Sequence, residues 1–270
     1  MKVSLAIPNR LIVTCSTGID HGPDGGILIV KPDMSVQLVF SGSCRGIVKK
    51  DDHYFVLTEH QVIRFDGEFK EREHFTLGSL DLHGLRFYRK HWYIVETGRN
   101  AVGIYDENFR RTGEIRISDY SSDRHHFNDL WIEDDNLLLS MLSLSGPEIP
   151  HSDKNDGAII EISLHDFSRI KHRITGVKHP HSCIVYNRSL YYCTSWENGL
   201  GKDGETVYRS GGYTRGLTIT PQYIYLGQSK VRSYPSQTRS SGGISILDHG
   251  FQLQEFIGLP ADEVYGIIAE

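Results

Sequence analysis

Short apolar stretches separated by polar turns run through almost the whole chain, and one arrangement recurs. A polar residue is followed by a small residue, a short apolar strand, a tight turn and a second apolar strand. Short apolar runs bounded by turn residues are typical of β-strands. The residue pairs that open the six copies are Arg45-Gly46, His83-Gly84, Asn128-Asp129, His181-Ser182, Arg215-Gly216 and Tyr265-Gly266.

The spacing of the copies indicates the fold. They begin at intervals of about 35–55 residues, and a four-stranded propeller blade takes roughly 40–45. Full copies continue into a third and a fourth strand joined by a polar hairpin turn, such as Asp66-Gly67. Helix signals are essentially missing from the sequence. The pattern therefore predicts an all-β fold, a six-bladed β-propeller of four-stranded antiparallel blades, as a single β-propeller domain over residues 1–270.

The two ends of the chain are expected to share one blade. The last copy stops after one strand, and Leu11–Thr17 with two further stretches near the N-terminus supplies the strands that it lacks. Pairing of the N- and C-terminal strands would close the ring and remove exposed sheet edges. One alternative stays open, because residues 2–7 also have the pattern of an innermost strand and compete with residues 265–270 for that place.

Composition and charge narrow the choice of partners. The 270 residues are 39% hydrophobic and 23% charged, and the formal net charge is −5. Without a basic stripe we expect no nucleic acid as partner. No apolar run approaches a membrane-spanning length and no signal-peptide core is seen, so we expect no membrane association and a cytoplasmic location. The four cysteines have no metal-type spacing and are expected to be buried free thiols.

Loop lengths point to one face of the propeller. The turns between first and second strands are all short, whereas the long connections join second and third strands. Strands alternate in direction, so these connections and the starts of the innermost strands emerge on the same face. Long loops on a rigid scaffold often carry function. The expected long loops are Gly18 to Asp24, Ser143 to Asp156, Trp196 to Glu205 and Lys230 to Gly242.

The polar residue of each copy is the main candidate for chemistry. Innermost strands of a propeller line a central channel, so Arg45, His83, Asn128, His181, Arg215 and Tyr265 should form a ring. We expect His181 or His83 as general base and Tyr265 as general acid. The expected substrate-binding residues are Arg45, Arg215, Asn128, Lys230 and Arg232. The alternative is a structural, water-filled polar plug.

A divalent metal ion is a further candidate. His83, His126 and His181 come from three consecutive copies, and three imidazoles can share one metal. Any one of these histidines can equally be a hydrogen-bonding residue. No EF-hand or HExxH pattern occurs in the sequence.

Several motifs resemble those of a bacterial β-propeller family of unknown function. They are His126-Phe127-Asn128-Asp129-Leu130, His179-Pro180-His181-Ser182, Thr214-Arg215-Gly216-Leu217 followed by Gly227-Gln228-Ser229-Lys230-Val231-Arg232, and Glu263-Val264-Tyr265-Gly266. The resemblance covers about residues 80–270, and this chain has Gly266 where an aspartate is common. It implies a propeller fold and a link to sugar or glycan metabolism, but no particular activity.

Two functions follow from the residues. One is an enzyme, a lyase, isomerase or hydrolase acting on a small anionic substrate such as an acidic sugar, with or without a metal ion. The other is a non-catalytic propeller whose ring recognises a glycan or a protein. A purely structural scaffold is a third interpretation, which the polar mouth does not favour.

Overall fold

Four-stranded antiparallel sheets are the repeating unit of the fold. The computed structural model describes residues 7–17, 25–79, 81–146, 155–230 and 242–270, and these residues form six such sheets. The strands are β1 (Leu11–Thr17), β2 (Gly26–Val30), β3 (Val36–Ser41), β4 (Ile47–Lys50), β5 (His53–Leu57), β6 (Gln61–Phe65), β7 (Glu71–Thr76), β8 (Leu82–Tyr88), β9 (His91–Glu96), β10 (Ala101–Tyr105), β11 (Arg111–Ile115), β12 (Phe127–Glu133), β13 (Asn136–Met141), β14 (Gly157–Ser163), β15 (Asp166–Val177), β16 (Pro180–Tyr186), β17 (Ser189–Thr194), β18 (Gly199–Lys202), β19 (Glu205–Arg209), β20 (Tyr213–Ile219), β21 (Ile224–Ser229), β22 (Gly243–Leu247), β23 (Leu253–Gly258) and β24 (Glu263–Ala269).

The sheets are arranged as the blades of a propeller, which confirms the predicted fold class. Five blades are consecutive in the chain, β4–β7, β8–β11, β12–β15, β16–β19 and β20–β23. Their first strands contact one another in the order β4, β8, β12, β16, β20, and β24 contacts both β20 and β4. The first strand of every blade therefore lines the axis. Short 3₁₀ turns at Thr97–Arg99 and Ser195–Glu197 follow two of the second strands.

The remaining blade joins the two ends of the chain, as predicted. Its strand order is β24-β1-β2-β3, and Leu11, Ile12 and Val13 lie opposite Ala269, Ile268 and Ile267. The C-terminal strand thus takes the innermost place, which decides between the two alternatives. Residues 2–6 of the competing stretch lie outside the described residues.

The hydrophobic core lies between neighbouring blades. All five residues of β2 and all five of β22 are buried, because the middle strands of a blade are covered on both faces. Between two other blades, Phe55 and Trp92 have ring centroids 4.6 Å apart, and those of Phe75 and Phe109 are 4.5 Å apart. Such aromatic contacts hold adjacent sheets together.

The recurring small residue is explained by the close approach of innermost strands. A Cβ placed on Gly84 would lie 3.1 Å from Cα of Asp129 in the next blade, and one on Gly46 would lie 2.7 Å from the His83 carbonyl oxygen. The pairing of first and second strands is irregular at this position, with register shifts between Leu82 and Leu85 and at equivalent places in other blades. Bulges of this kind turn a side chain in a new direction.

One of the predicted long loops is wrong. The stretch Trp196 to Glu205 contains strand β18, which pairs with β17 and β19. The other three loops lie largely outside the described residues, which omit 18–24, 147–154 and 231–241. The four cysteines are buried and unpaired. Among the described residues, no helix has the length and apolarity needed to cross a membrane.

Candidate functional site

Two layers of polar side chains surround the entrance of the axial channel. The inner ring consists of the six residues predicted from the sequence, Arg45, His83, Asn128, His181, Arg215 and Tyr265. Each has a polar residue two positions earlier that also borders the channel entrance. We call this second layer the mouth ring, and it consists of Ser43, Asp81, His126, His179, Tyr213 and Glu263.

The backbone is unusual at three equivalent positions of the mouth ring. Asp81, His126 and His179 have φ angles of 58°, 49° and 50°. Non-glycine residues rarely adopt this left-handed conformation, and elsewhere in this chain they do so mainly in turns, such as those at Asp51 and Asn187. The turn occurs just before β8, β12 and β16 begin, so in three consecutive blades it sets the direction in which the mouth-ring side chain enters the channel entrance.

The two rings border two pockets and a narrow channel. One pocket has a volume of about 300 Å³ and includes Trp196, Tyr213 and Leu142 in its wall. The other has about 350 Å³ and includes Glu59, Arg45 and other polar residues. The pockets share His126, Arg215 and Glu263. Deeper along the axis lies a cavity of about 40 Å³, lined by five of the inner-ring residues, His83, Asn128, His181, Arg215 and Tyr265.

His181 is held in one tautomer. Its Nδ1 lies 3.0 Å from the carbonyl oxygen of His179 and 2.8 Å from Ser195 Oγ, whose own proton is donated to the Thr214 carbonyl at 2.5 Å. Both neighbours of Nδ1 are acceptors, so Nδ1 carries the proton and Nε2 carries the lone pair. Burial and the charge of Arg215 hold the pKa of His181 well below its usual range. The imidazole is therefore a neutral base.

His83 is oriented by Asp81. Its Nε2 lies 3.1 Å from Asp81 Oδ1, and Arg45 donates from Nη1 to the same oxygen at 2.6 Å and to the Leu82 carbonyl at 2.9 Å. Burial alone would raise the pKa of Asp81, but hydrogen bonds and charges from His83 and Arg45 outweigh it and hold that pKa below its usual range. Burial lowers the pKa of His83 to about 4, against the opposing effect of Asp81.

Arg215 forms a buried ion pair at the centre of the mouth. Its Nη1 lies 2.7 Å from Glu263 Oε1, and Ser16 donates to the other oxygen of the same carboxylate. The guanidinium carbon lies 5.1 Å from the ring centroid of Tyr265 and 5.4 Å from that of Tyr213. Burial raises the pKa of Tyr265, so its phenol keeps its proton and can donate a hydrogen bond.

The other predicted substrate-binding residues are placed differently. Asn128 lies in the inner ring and donates from Nδ2 to the Pro180 carbonyl at 3.0 Å. Lys230 lies at the rim of the smaller pocket, 3.8 Å from an oxygen of Asp262. Arg232 lies outside the described residues. The structure thus brings all the predicted site residues that it describes to one end of the channel.

Both arginines already have carboxylate partners, which the sequence did not indicate. Asp81 pairs with Arg45, and Glu263 pairs with Arg215. An incoming anion would therefore meet guanidinium groups whose charge is largely compensated. A ligand can still accept directed hydrogen bonds from these groups. Arg215 Nε, for example, has no hydrogen-bond partner among the described residues.

The predicted histidine trio is not the metal-ligand set that the structure brings together. Among the described histidine, cysteine, aspartate and glutamate side chains, the group whose ligand atoms lie within 4.8 Å of one another is Asp81, Asp123 and His126. Of the predicted trio, only His126 belongs to it. His83 donates from Nε2 to Asp81, and His181 donates from Nδ1 toward the His179 carbonyl and Ser195 Oγ.

The Asp81 cluster fits a metal ion poorly, although carboxylates and imidazole are suitable donor types. Asp81 Oδ1 is 2.6 Å from the Arg45 guanidinium, which would place a positive charge beside the ion. Asp123 already accepts hydrogen bonds from the side chain and the backbone of His126, at 2.7 and 3.0 Å. We therefore assign no chemical step to a metal ion.

Sequence reasoning missed four residues of the site, which are Asp81, Tyr213, Glu263 and Trp196. The first three belong to the mouth ring, and the signal was present. Each of these three stands two positions before a polar residue of the inner ring, so the spacing that gave the inner ring also marks them. Trp196 follows the buried end of β17, in the 3₁₀ turn that replaces the expected loop.

Comparison with known proteins gives the family. Residues 32–248 match a family described as a domain of unknown function, DUF4915. The chain belongs to this family. No curated protein sequence matches this DUF4915 chain significantly.

Solved structures similar to this DUF4915 propeller share its fold. A protein of unknown function from Bacteroides caccae has a TM-score of 0.72 at 10% identity and covers 97% of this chain and 99% of its own. A calcium-binding protein, regucalcin, from Agrobacterium tumefaciens has a TM-score of 0.63 at 11% identity, covering 83% and 76%. A luciferin-regenerating enzyme has a TM-score of 0.63 at 10% identity, covering 83% and 78%. At these identities the likeness concerns the fold alone.

Proposed function

We propose that this protein is an enzyme of the lyase, isomerase or hydrolase type, acting on a small anionic substrate such as an acidic sugar at the channel mouth. The observation that supports the proposal most strongly is the neutral imidazole of His181. Its tautomer is fixed by two acceptors, and its buried Nε2 has no partner among the described residues. A general base needs this arrangement, a lone pair free to receive a proton beside a pocket of suitable size.

The first step is the same for all three reaction types. His181 Nε2 takes a proton either from a carbon next to the substrate carboxylate or from an attacking water. When the proton comes from carbon, the C–H electron pair moves into the adjacent carboxyl group. When it comes from water, the water oxygen bonds to the substrate carbonyl carbon and the C=O electron pair moves to the carbonyl oxygen. In both cases Arg215 and Tyr265 donate hydrogen bonds to the oxygen on which negative charge develops. Tyr265, which the sequence suggests as general acid, keeps its proton in the resting site because burial raises its pKa, and it donates a hydrogen bond to that oxygen.

The similar structures support a catalytic role only as analogy. One of them is a luciferin-regenerating enzyme, so a protein of similar fold can carry an enzyme activity. The regucalcin structure is that of a calcium-binding protein, which keeps a divalent ion within the range of proposals for this chain.

The test is a substrate screen with a matched pair of histidine variants. Uronates, aldonates and their lactones are incubated with the protein in D₂O and followed by NMR. Exchange of the proton next to the carboxylate reports lyase or isomerase chemistry, and loss of lactone reports hydrolysis. We expect His181→Gln to lower kcat by about 100-fold or more with an unchanged Tm. His165→Gln, at an exposed turn on the opposite face, serves as the control. Equal rates in both variants would contradict the proposal.

A non-catalytic sugar-binding pocket is the second candidate, and the aromatic wall of the smaller pocket favours it. The rings of His179 and Trp196 have centroids 4.8 Å apart, and Tyr213 lines the same pocket. Sugar binding without turnover, retained in His181→Gln but lost in Trp196→Ala, would favour this function over the first.

A divalent metal ion remains a proposal that can be tested separately. Because Arg45 occupies the carboxylate that a cation would need, we expect EDTA to leave both Tm and turnover unchanged. Elemental analysis of the purified protein is the direct measurement. A stoichiometric metal whose binding is lost in Asp123→Asn would show that the mouth ring holds an ion after all.

A further inference from the structure

Five buried polar atoms around the narrow channel have no hydrogen-bond partner among the described residues. They are His83 Nδ1, Asn128 Oδ1, His181 Nε2, Arg215 Nε and the Tyr265 hydroxyl. All five residues line the cavity of about 40 Å³ below the two pockets. A buried polar group without a partner costs about 1–3 kcal/mol, and native proteins leave few such groups. A cluster of five around one cavity therefore requires a polar occupant, which is water in the empty site and a polar group of the ligand in the occupied one.

Three of these atoms are acceptors, and they lie on consecutive innermost strands. His83 gives its Nε2 proton to the ionised Asp81, so its Nδ1 has the lone pair. His181 exposes the lone pair of Nε2, as derived above. Asn128 directs its amide NH₂ to the Pro180 carbonyl, so its Oδ1 is the unpartnered atom. All three acceptors are uncharged.

The other two atoms are donors, and they lie on the next two strands of the ring. Arg215 on β20 offers its Nε proton, and Tyr265 on β24 offers its phenol proton. Arg45 precedes β4, the following strand, so three residues with donor groups occupy the other half of the ring. The inner ring is thus divided into an acceptor half on β8, β12 and β16 and a donor half on β20, β24 and the segment before β4.

We propose that the inner ring selects a 2-hydroxy carboxylate end of the substrate. The carboxylate oxygens face the donor half, and the adjacent hydroxyl donates its one hydrogen to Asn128 Oδ1 in the acceptor half, which leaves the lone pair of His181 Nε2 for the proton of the reaction. The inference rests on the proposed function, since it concerns the same site, and it adds a requirement for the hydroxyl beside the acid group. A cavity of about 40 Å³ accommodates only a few polar atoms.

The rest of such a ligand has space above the ring. Asn128, His181 and Arg215 line both the narrow cavity and the pocket of about 300 Å³. A polyhydroxylated chain or ring attached to the 2-hydroxy acid would occupy that pocket, against Trp196 and Tyr213. The substrate would enter with its acid end first.

The experiment compares three matched probes by isothermal titration. D-gluconate has both groups, 2-deoxy-D-gluconate lacks the 2-hydroxyl, and D-sorbitol lacks the carboxylate. We expect D-gluconate to bind at least ten-fold more tightly than either of the others, because an unpartnered buried group penalises each incomplete probe. Equal binding of the three probes, or no binding of D-gluconate, would overturn the proposal.

Two variants assign the discrimination to the two halves of the ring. Asn128→Leu should abolish the preference for D-gluconate over the 2-deoxy compound, and the conservative Tyr265→Phe should reduce the preference over D-sorbitol. Tyr223→Phe, on the opposite face, is the control and should keep both preferences. If Tyr265→Phe folds and keeps both preferences as well, the donor half has no role in selection and the proposal is wrong.

The outcome separates this inference from the proposed function. Selective binding of D-gluconate without any turnover in the substrate screen supports selection by the inner ring and contradicts the proposed enzyme activity. Turnover of a substrate that has no 2-hydroxy acid group supports the proposed enzyme activity and contradicts selection by the inner ring. A divalent metal that binds the wild type and is lost in Asn128→Leu would assign the acceptor half to a cation, which also overturns the inference.

Discussion

Individual side chains at the mouth depend on partners from other blades. Glu263 and Arg215 have side chains that are only 8% and 14% exposed, and they neutralise each other across two sheets. Separating such a pair leaves one charge buried without compensation, which costs about 3–5 kcal/mol. The mouth therefore contributes to the stability of the fold as well as to binding.

We expect Glu263→Gln to lower the free energy of unfolding by about 3 kcal/mol, since it leaves the Arg215 charge uncompensated. The matched control is Glu68→Gln, which breaks an exposed pair with Lys70 and should change stability by less than about 0.5 kcal/mol. Urea denaturation measures both. Similar values for the two variants would show that the buried pair has no special role.

The recurring spacing of polar residues predicts part of what the structure shows at the scale of single residues. The inner ring was found because one residue per copy was polar, and the mouth ring follows from the same positions shifted by two. The pairing of Arg45 with Asp81, or of Arg215 with Glu263, could not be found in this way. It depends on side-chain directions in neighbouring blades, which no local pattern contains.

At the level of strands, glycine is required for two different reasons in this chain. Gly84 is required because the next blade is too close for a side chain, whereas Gly201 lies under an aromatic ring, where an added Cβ would be only 2.5 Å from Cζ of Tyr192. Two glycines around Leu200 look like a turn in the sequence, and β18 was missed for this reason. The strand is stabilised by the tyrosine that covers it.

Gly84→Ala should destabilise the protein by about 1–3 kcal/mol, because the added methyl group would press against the Asp129 backbone and separate two blades. Gly258→Ala, where no atom lies within 4 Å of the added Cβ, is the control and should be neutral or slightly stabilising. Thermal unfolding distinguishes the two. If Gly84→Ala unfolds at the same temperature as the wild type, the innermost strands can move apart without a cost in stability.

The whole molecule should lose stability in mild acid. His83 and His181 are buried as neutral bases, so between about pH 6.5 and 4 the unfolded chain binds protons that the folded chain does not, and stability falls as the pH falls. For His83, a pKa lowered from 6.5 to about 4 corresponds to roughly 3 kcal/mol. Asp81, whose pKa is held low, loses its stabilising contribution only at still lower pH.

Urea denaturation at pH 7 and pH 4.5 measures this effect. The loss of unfolding free energy should be about 2 kcal/mol or more in the wild type and clearly smaller in His83→Gln. The exposed His165→Gln should keep the wild-type dependence. If His83→Gln responds to pH like the wild type, buried histidines are not the cause.

The closed ring was predictable because the last copy in the sequence was incomplete. The sequence could not show which terminal stretch completes the ring, since residues 2–7 and 265–270 have the same pattern. Only the pairing of β24 with β1 across the whole length of the chain distinguishes them.

The final strand thereby has two tasks. β24 completes the sheet that closes the circle, and it also brings Glu263 and Tyr265 to the entrance. In a chain where β24 has not yet paired with β1, the ring of blades is open and the entrance is incomplete. Occupancy of the entrance would therefore report correct assembly, since the hydrogen bond from Ser16 on β1 to Glu263 on β24 joins the two sides of the closure at that same place.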